Sequence, residues 1–97
     1  MYYKSTRNSS VNVSSAQAIA QGISKDGGLF VPSEIPALTL DEIKALGEKS
    51  YAERAAYVMS KFLTEYSYDE LLSDCNQAYS EKKFPGGAAP IHKIDDK

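Results

Sequence analysis

A chain of 97 residues has room for one domain and one modest hydrophobic core. Its composition, 42% hydrophobic and 25% charged, lies in the ordinary globular range and excludes a disordered chain. The net charge is −2 and the cations are scattered, with Lys82-Lys83 their sole adjacent pair, so no basic stripe points to nucleic acid.

Cys75 is the single cysteine and has no partner for an internal disulfide, which favours a reducing compartment. The start, Met1-Tyr2-Tyr3-Lys4-Ser5-Thr6-Arg7, has no apolar run of the kind a signal peptide carries. Nothing in the chain nears the roughly 20 apolar residues that cross a bilayer. The expectation is a cytoplasmic protein with no membrane partner.

In chain order, Tyr2 to Arg7 mixes aromatic, β-branched and polar residues and predicts a strand, which Asn8-Ser9-Ser10 is expected to break. Ser14 and Gln17 form a capping pair, and Ala16, Ile19, Ala20 and Ile23 follow at helical spacing. A short helix over 15–22 is expected, stopped by Gly22, which adopts a left-handed conformation without a Cβ clash. Lys25-Asp26-Gly27-Gly28 predicts a turn. Leu29-Phe30-Val31 predicts a short buried strand ended by Pro32, which has no amide proton for the ladder.

The rest of the chain is predicted helical. Thr39 with Glu42, Ser50 with Glu53, and Ser67 with Glu70 each place a hydroxyl three residues before a carboxylate, the capping-box spacing. They predict helices over 40–46 (ended by Gly47), 51–63 and 68–80. The second should bury Tyr51, Ala55, Val58, Met59 and Phe62, and the third Leu71, Leu72, Cys75, Ala78 and Tyr79. Phe84 to Pro90 reads as a linker. Ile91-His92-Lys93-Ile94 reads as the start of another strand with nothing after it, as in a chain that continues. The fold class expected is α+β: a two- or three-stranded sheet in the N-terminal half, packed by about four helices.

Residue chemistry on its own offers little. Cys75 lies in an apolar helical stripe, where a thiol is a buried hydrophobe, and His92 has no second ligand for a metal. Asp41-Glu42 and Asp69-Glu70 lie in first helical turns, where they offset the helix dipole. The seven tyrosines are expected at the rim of the core. Asp26-Gly27-Gly28 follows a helix rather than opening one, so it is neither a P-loop nor a dinucleotide fingerprint.

Two segments, Tyr3-Lys4-Ser5-Thr6-Arg7 and Gly22-Ile23-Ser24-Lys25-Asp26-Gly27-Gly28-Leu29-Phe30-Val31-Pro32, resemble the opening of the threonine synthase family. Ser50-Tyr51-Ala52-Glu53 and Phe84 to Ile91 are similar to that family's next helix and its exit into the catalytic domain. Asn8 stands where the family usually has glycine, and Ile23 and Phe30 replace leucine and tyrosine. The resemblance implies a pyridoxal-phosphate (PLP) lyase that converts O-phosphohomoserine and water into threonine and phosphate. It implies an N-terminal domain over 1–83, with 84–97 as linker and start of the catalytic domain. None of the nine lysines lies in the Phe-Lys-Asp context that carries the family's cofactor. The expectation is therefore no catalytic residue and no cofactor on this chain, with the downstream catalytic domains of the same polypeptide as its partner. Ser5, Thr6, Arg7, Asp26, Gly27 and Gly28 carry the signature, with docking their expected role. A free-standing binding module of the same lineage is the alternative.

Overall fold

The computed structural model describes residues 1–96 and has the α+β architecture expected. Strands β1 (Tyr2–Ser5), β2 (Asn8–Ser14) and β3 (Phe30–Pro32) form an antiparallel sheet in the order β2-β1-β3. The helices are α1 (Ser15–Gln21), α2 (Leu40–Leu46), α3 (Tyr51–Phe62) and α4 (Tyr68–Ala78).

The helix starts follow from their caps. Ser14, Thr39, Ser50 and Ser67 are all extended, and each side-chain oxygen accepts from the amide three residues on. Only at Ser50 does the reciprocal bond also form, from the Ser50 amide to the Glu53 carboxylate at 3.3 Å. Gly22 caps α1 at φ 79°, a conformation open to glycine. Gly47 ends α2 in a right-handed conformation instead. The orphan carbonyls there are satisfied from the next helix: Arg54 donates to Leu46 O at 2.7 Å and to Gly47 O at 2.8 Å.

Three expectations about the strands are corrected. Asn8-Ser9-Ser10 does not break the chain but opens the seven-residue β2, which runs back along β1 with an irregular register between Tyr3 and Ser5. Asn8 drives this locally, its side-chain oxygen accepting from the Ser10 amide and hydroxyl. The strand at Leu29-Phe30-Val31 lies at a sheet edge, and Leu29 and Val31 are exposed. Ile91 and Ile94 form no strand; both are exposed, in a segment without regular structure.

The main core lies between α3 and α4, where Ala52, Ala56, Leu71 and Cys75 are buried and Met59, Leu63, Tyr66, Leu72 and Tyr79 pack around them. The stripe expected on α3 is rotated. Tyr51 and Val58 are exposed, and small Ala52 and Ala56 face α4 instead. Ala78, expected inside, is exposed at the end of α4. The tyrosine expectation holds at Tyr66 and Tyr79, whereas Tyr2, Tyr51 and Tyr68 are exposed.

The sheet is joined to the helical pair mainly through polar contacts at the α3–α4 turn. Tyr3 donates its hydroxyl to Phe62 O at 2.8 Å, and the Met1 ammonium donates to Thr64 at 3.0 Å. The Glu65 carboxylate accepts from the Ser15 hydroxyl at 3.0 Å and the Ala16 amide at 3.3 Å. Those two bonds, the amide first, hold the Glu65 carboxyl below its ordinary pKa.

Candidate functional site

The six signature residues, separated by up to 23 positions, come together at one end of the sheet. Ser5 closes β1 on the face that meets the 24–28 loop, and only 4% of its surface remains accessible. Its hydroxyl donates to Asp26 Oδ1 at 2.8 Å and accepts from the Arg7 amide at 3.2 Å. The same Asp26 oxygen accepts from the Gly28 amide at 2.9 Å, an Asx-turn bond that closes the loop on itself. The Arg7 guanidinium reaches across to Asp26 O at 2.9 Å. Thr6 and Leu29 are doubly joined: the Thr6 amide donates to Leu29 O at 2.9 Å, and the Leu29 amide to Thr6 Oγ1 at 3.0 Å.

Both glycines are required here, for different reasons. Gly27 sits at φ +83°, and a Cβ on it would lie 2.6 Å from Arg7 Nη1. Gly28 has no unusual φ, but a Cβ there would overlap Ser5 Oγ and stand 3.0 Å from both the Arg7 amide and Asp26 Oδ1. One glycine supplies a turn that side chains resist; the other supplies space for the hydroxyl that locks the turn.

The Gly28 amide, followed by the Ser5 hydroxyl, lowers the Asp26 pKa, and Ser24 and the Arg7 charge act in the same direction. Asp26 is thus held as an anion committed to the loop. Its Oδ1 carries both loop bonds, and a lowered pKa makes the carboxyl a weaker base. The other candidates stay apart. Cys75 lies in the α3–α4 core with its thiol pKa raised by burial and then by Asp74. His92 is exposed in the irregular C-terminal segment. Among the described residues no group of three or more His, Cys, Asp or Glu side chains is placed to hold a metal ion. No helix among the described residues is long and apolar enough to cross a membrane.

Sequence reasoning missed Glu65, in the α3–α4 turn, and Arg54, in α3, which complete the N-terminus of α1 and the C-terminus of α2. Their only signal is charge placed just after, or early within, a helix, and this does not say which terminus it serves.

The family model for the threonine synthase N terminus matches residues 2–79. The chain belongs to that family. It is 44% identical over 85 residues to threonine synthase of Schizosaccharomyces pombe, covering 86% of this chain and 16% of that protein. Threonine synthase of Serratia marcescens is 39% identical over 84 residues, which is 87% of this chain and 18% of the relative. The fold agrees. The crystal structure of threonine synthase from Escherichia coli superimposes with a TM-score of 0.84 at 29% identity, over 99% of this chain and 21% of that one. The PLP-bound threonine synthase from Brucella melitensis superimposes at 0.83 with 33% identity, again over 99% and 21%. The chain therefore spans about a fifth of the length of these solved relatives and slightly less of the two curated ones. In this chain Ser5 to Arg7 and Asp26 to Gly28 form one hydrogen-bonded unit.

Proposed function

We propose that the chain serves, over residues 1–83, as the docking domain of a threonine synthase, a cytoplasmic PLP enzyme that converts O-phosphohomoserine and water into threonine and phosphate. The observation that carries the reading is the agreement of the family match over 2–79 with a fold superposition over 99% of the chain. Residues 84–97 lead into the catalytic part of the polypeptide.

On this reading the chemistry belongs to that catalytic part. PLP supplies an electron sink for carbanions next to its imine, and its site needs a lysine amine and a cradle for the phosphate. The residues present do not fit that group. The α1 N-terminus, whose amides could face a phosphate, already holds the Glu65 carboxylate. The first turns of α2, α3 and α4 carry Asp41 and Glu42, Glu53, and Asp69 and Glu70, which repel a phosphate dianion. Lys61 lies 3.8 Å from Glu42 and 5.2 Å from the centre of the Tyr57 ring. No step of the reaction runs through these side chains.

The test is release of phosphate from O-phosphohomoserine, with threonine measured as co-product. The polypeptide that contains this chain should turn over with PLP, and residues 1–97 alone should not. Turnover by the 97-residue chain, or none by an intact PLP-loaded polypeptide, overturns the proposal.

A further inference from the structure

The register of the sheet divides its side chains into two faces, and one is uncovered. Tyr3 pairs with Val13 and Pro32, and Ser5 with Phe30. These residues share the face on which α1 lies, since Val11, Val13 and Phe30 line a groove of about 180 Å³ with Gln17 and Gln21 of that helix. Alternation puts Tyr2 and Lys4 of β1 on the opposite face, together with Val31, the partner of Lys4. Leu29, two residues before Val31, continues that row, and Ile23 joins it through its antiparallel bridge to Leu29.

The row Tyr2, Val31, Leu29 and Ile23 is exposed to 59, 40, 62 and 59% of its accessible surface. Four adjacent apolar side chains left open on one face form a patch of the kind that marks an interaction surface. The charge within it is cationic: Lys4 sits in the row and has no carboxylate within ion-pair distance among the described residues. Thr6 follows Lys4, its hydroxyl held by the Leu29 amide, while Arg7 is turned to the 24–28 loop, where its charge lies beside the Asp26 carboxylate. In a chain of net charge −2, this row is apolar with one cation at its centre.

We propose that the Tyr2–Val31–Leu29–Ile23 face is the surface on which the catalytic part of the same polypeptide docks, through an apolar strip bearing a carboxylate that meets Lys4. This rests on the functional reading above and names the surface it uses. Two observations select that occupant. The chain is about a fifth of the length of its solved relatives, so most of such a polypeptide lies outside it. The face also adjoins the signature loop: Thr6 and Leu29 are bonded to each other, and Arg7 clamps Asp26. A locked loop gives the docking face a fixed edge before contact is made.

The experiment is footprinting of the intact, PLP-loaded polypeptide. Val31→Cys and Leu29→Cys are alkylated in separate preparations and read by peptide mass spectrometry, with Gln77→Cys on α4 as an exposed reference. Oxidation of wild-type Tyr2 by hydroxyl radicals is read in parallel, so a variant that fails to fold does not decide the outcome. Docking predicts alkylation at positions 29 and 31 at least about tenfold slower than at 77, independent of protein concentration, as for a thiol shielded from reagent. Rates equal to the reference, with Tyr2 freely oxidised, overturn the proposal. Protection that disappears on dilution overturns it too, because the occupant is then a second copy. Phosphate release is measured on the same samples. An active enzyme with a reactive thiol at position 31 refutes the docking face alone, and an inactive one with a protected thiol there refutes the activity alone.

Discussion

Gly28→Ala is the sharpest probe of the loop, because its cost traces to one atom. The new methyl would overlap Ser5 Oγ and press on the Arg7 amide and Asp26 Oδ1, each at 3.0 Å. Overpacking of a tight site costs about 1–3 kcal/mol. Relief by rotating the Ser5 hydroxyl away gives up its bonds to Asp26 and Arg7, each worth about 1 kcal/mol. Either route destabilises by about 2–3 kcal/mol. Ser5→Ala gives up the same two bonds without a clash and should cost about 1–2 kcal/mol. The two changes are then not independent. With the hydroxyl absent, the added methyl meets only the 3.0 Å contacts, so Gly28→Ala should cost about 1 kcal/mol less in the Ser5→Ala background. Urea unfolding of the four proteins, followed by circular dichroism, measures this coupling. Strict additivity of the two losses would refute the account of why Gly28 is glycine.

Further outcomes follow from the same geometry. Gly27→Ala should cost about 1–2 kcal/mol from backbone strain at φ +83°, since the clashing Arg7 tip can swing aside, and Gly27→Asn should cost less; equal urea midpoints for the two variants would contradict this. Asp26 and Glu65 have lowered folded-state pKa values, so the stability they contribute is complete above their unfolded-state range, from about pH 5–6 upward, and is lost as pH falls through the folded-state values. Asp26→Asn and Glu65→Gln should therefore lower the urea midpoint more at pH 7 than at pH 3, and equal losses at both would remove the role assigned to the charges. Cys75→Ser places a hydroxyl among Ala52, Ala56 and Leu71 and should cost about 1–3 kcal/mol in the same unfolding measurement, with no loss expected if the thiol were at the surface.

The helical two-thirds was largely legible because its signals are local. A hydroxyl at the cap, a carboxylate three residues on and an apolar run begin each helix, and the observed starts at Leu40, Tyr51 and Tyr68 follow them. Which face is buried was less legible. Tyr51 and Val58 are larger than Ala52 and Ala56, but α3 packs closely against α4 through the small pair, and the large side chains are left outside. Strand β2 was missed because its sequence, Asn8-Ser9-Ser10-Val11-Asn12-Val13-Ser14, is mostly polar; only Val11 and Val13 carry the period of two, and pairing with β1 supplies the rest.

At the candidate site, the resemblance pointed to six residues that the fold brings together, but not to the bonds between them. The bond from Ser5 to Asp26 spans 21 positions and the contact from Arg7 to the Asp26 carbonyl spans 19, and only the antiparallel pairing of β1 with β3 brings them into range. Glu65 at the start of α1 is equally a product of tertiary placement, 49 positions from the amide it satisfies.

The most direct test of the central claim is borohydride trapping of the PLP-loaded polypeptide that contains this chain, followed by mapping of the pyridoxyl-lysine. A domain that docks but performs no chemistry predicts a single labelled lysine outside residues 1–97. Stoichiometric label on Lys25, Lys61 or any other of the nine lysines here, or no label anywhere, would contradict it.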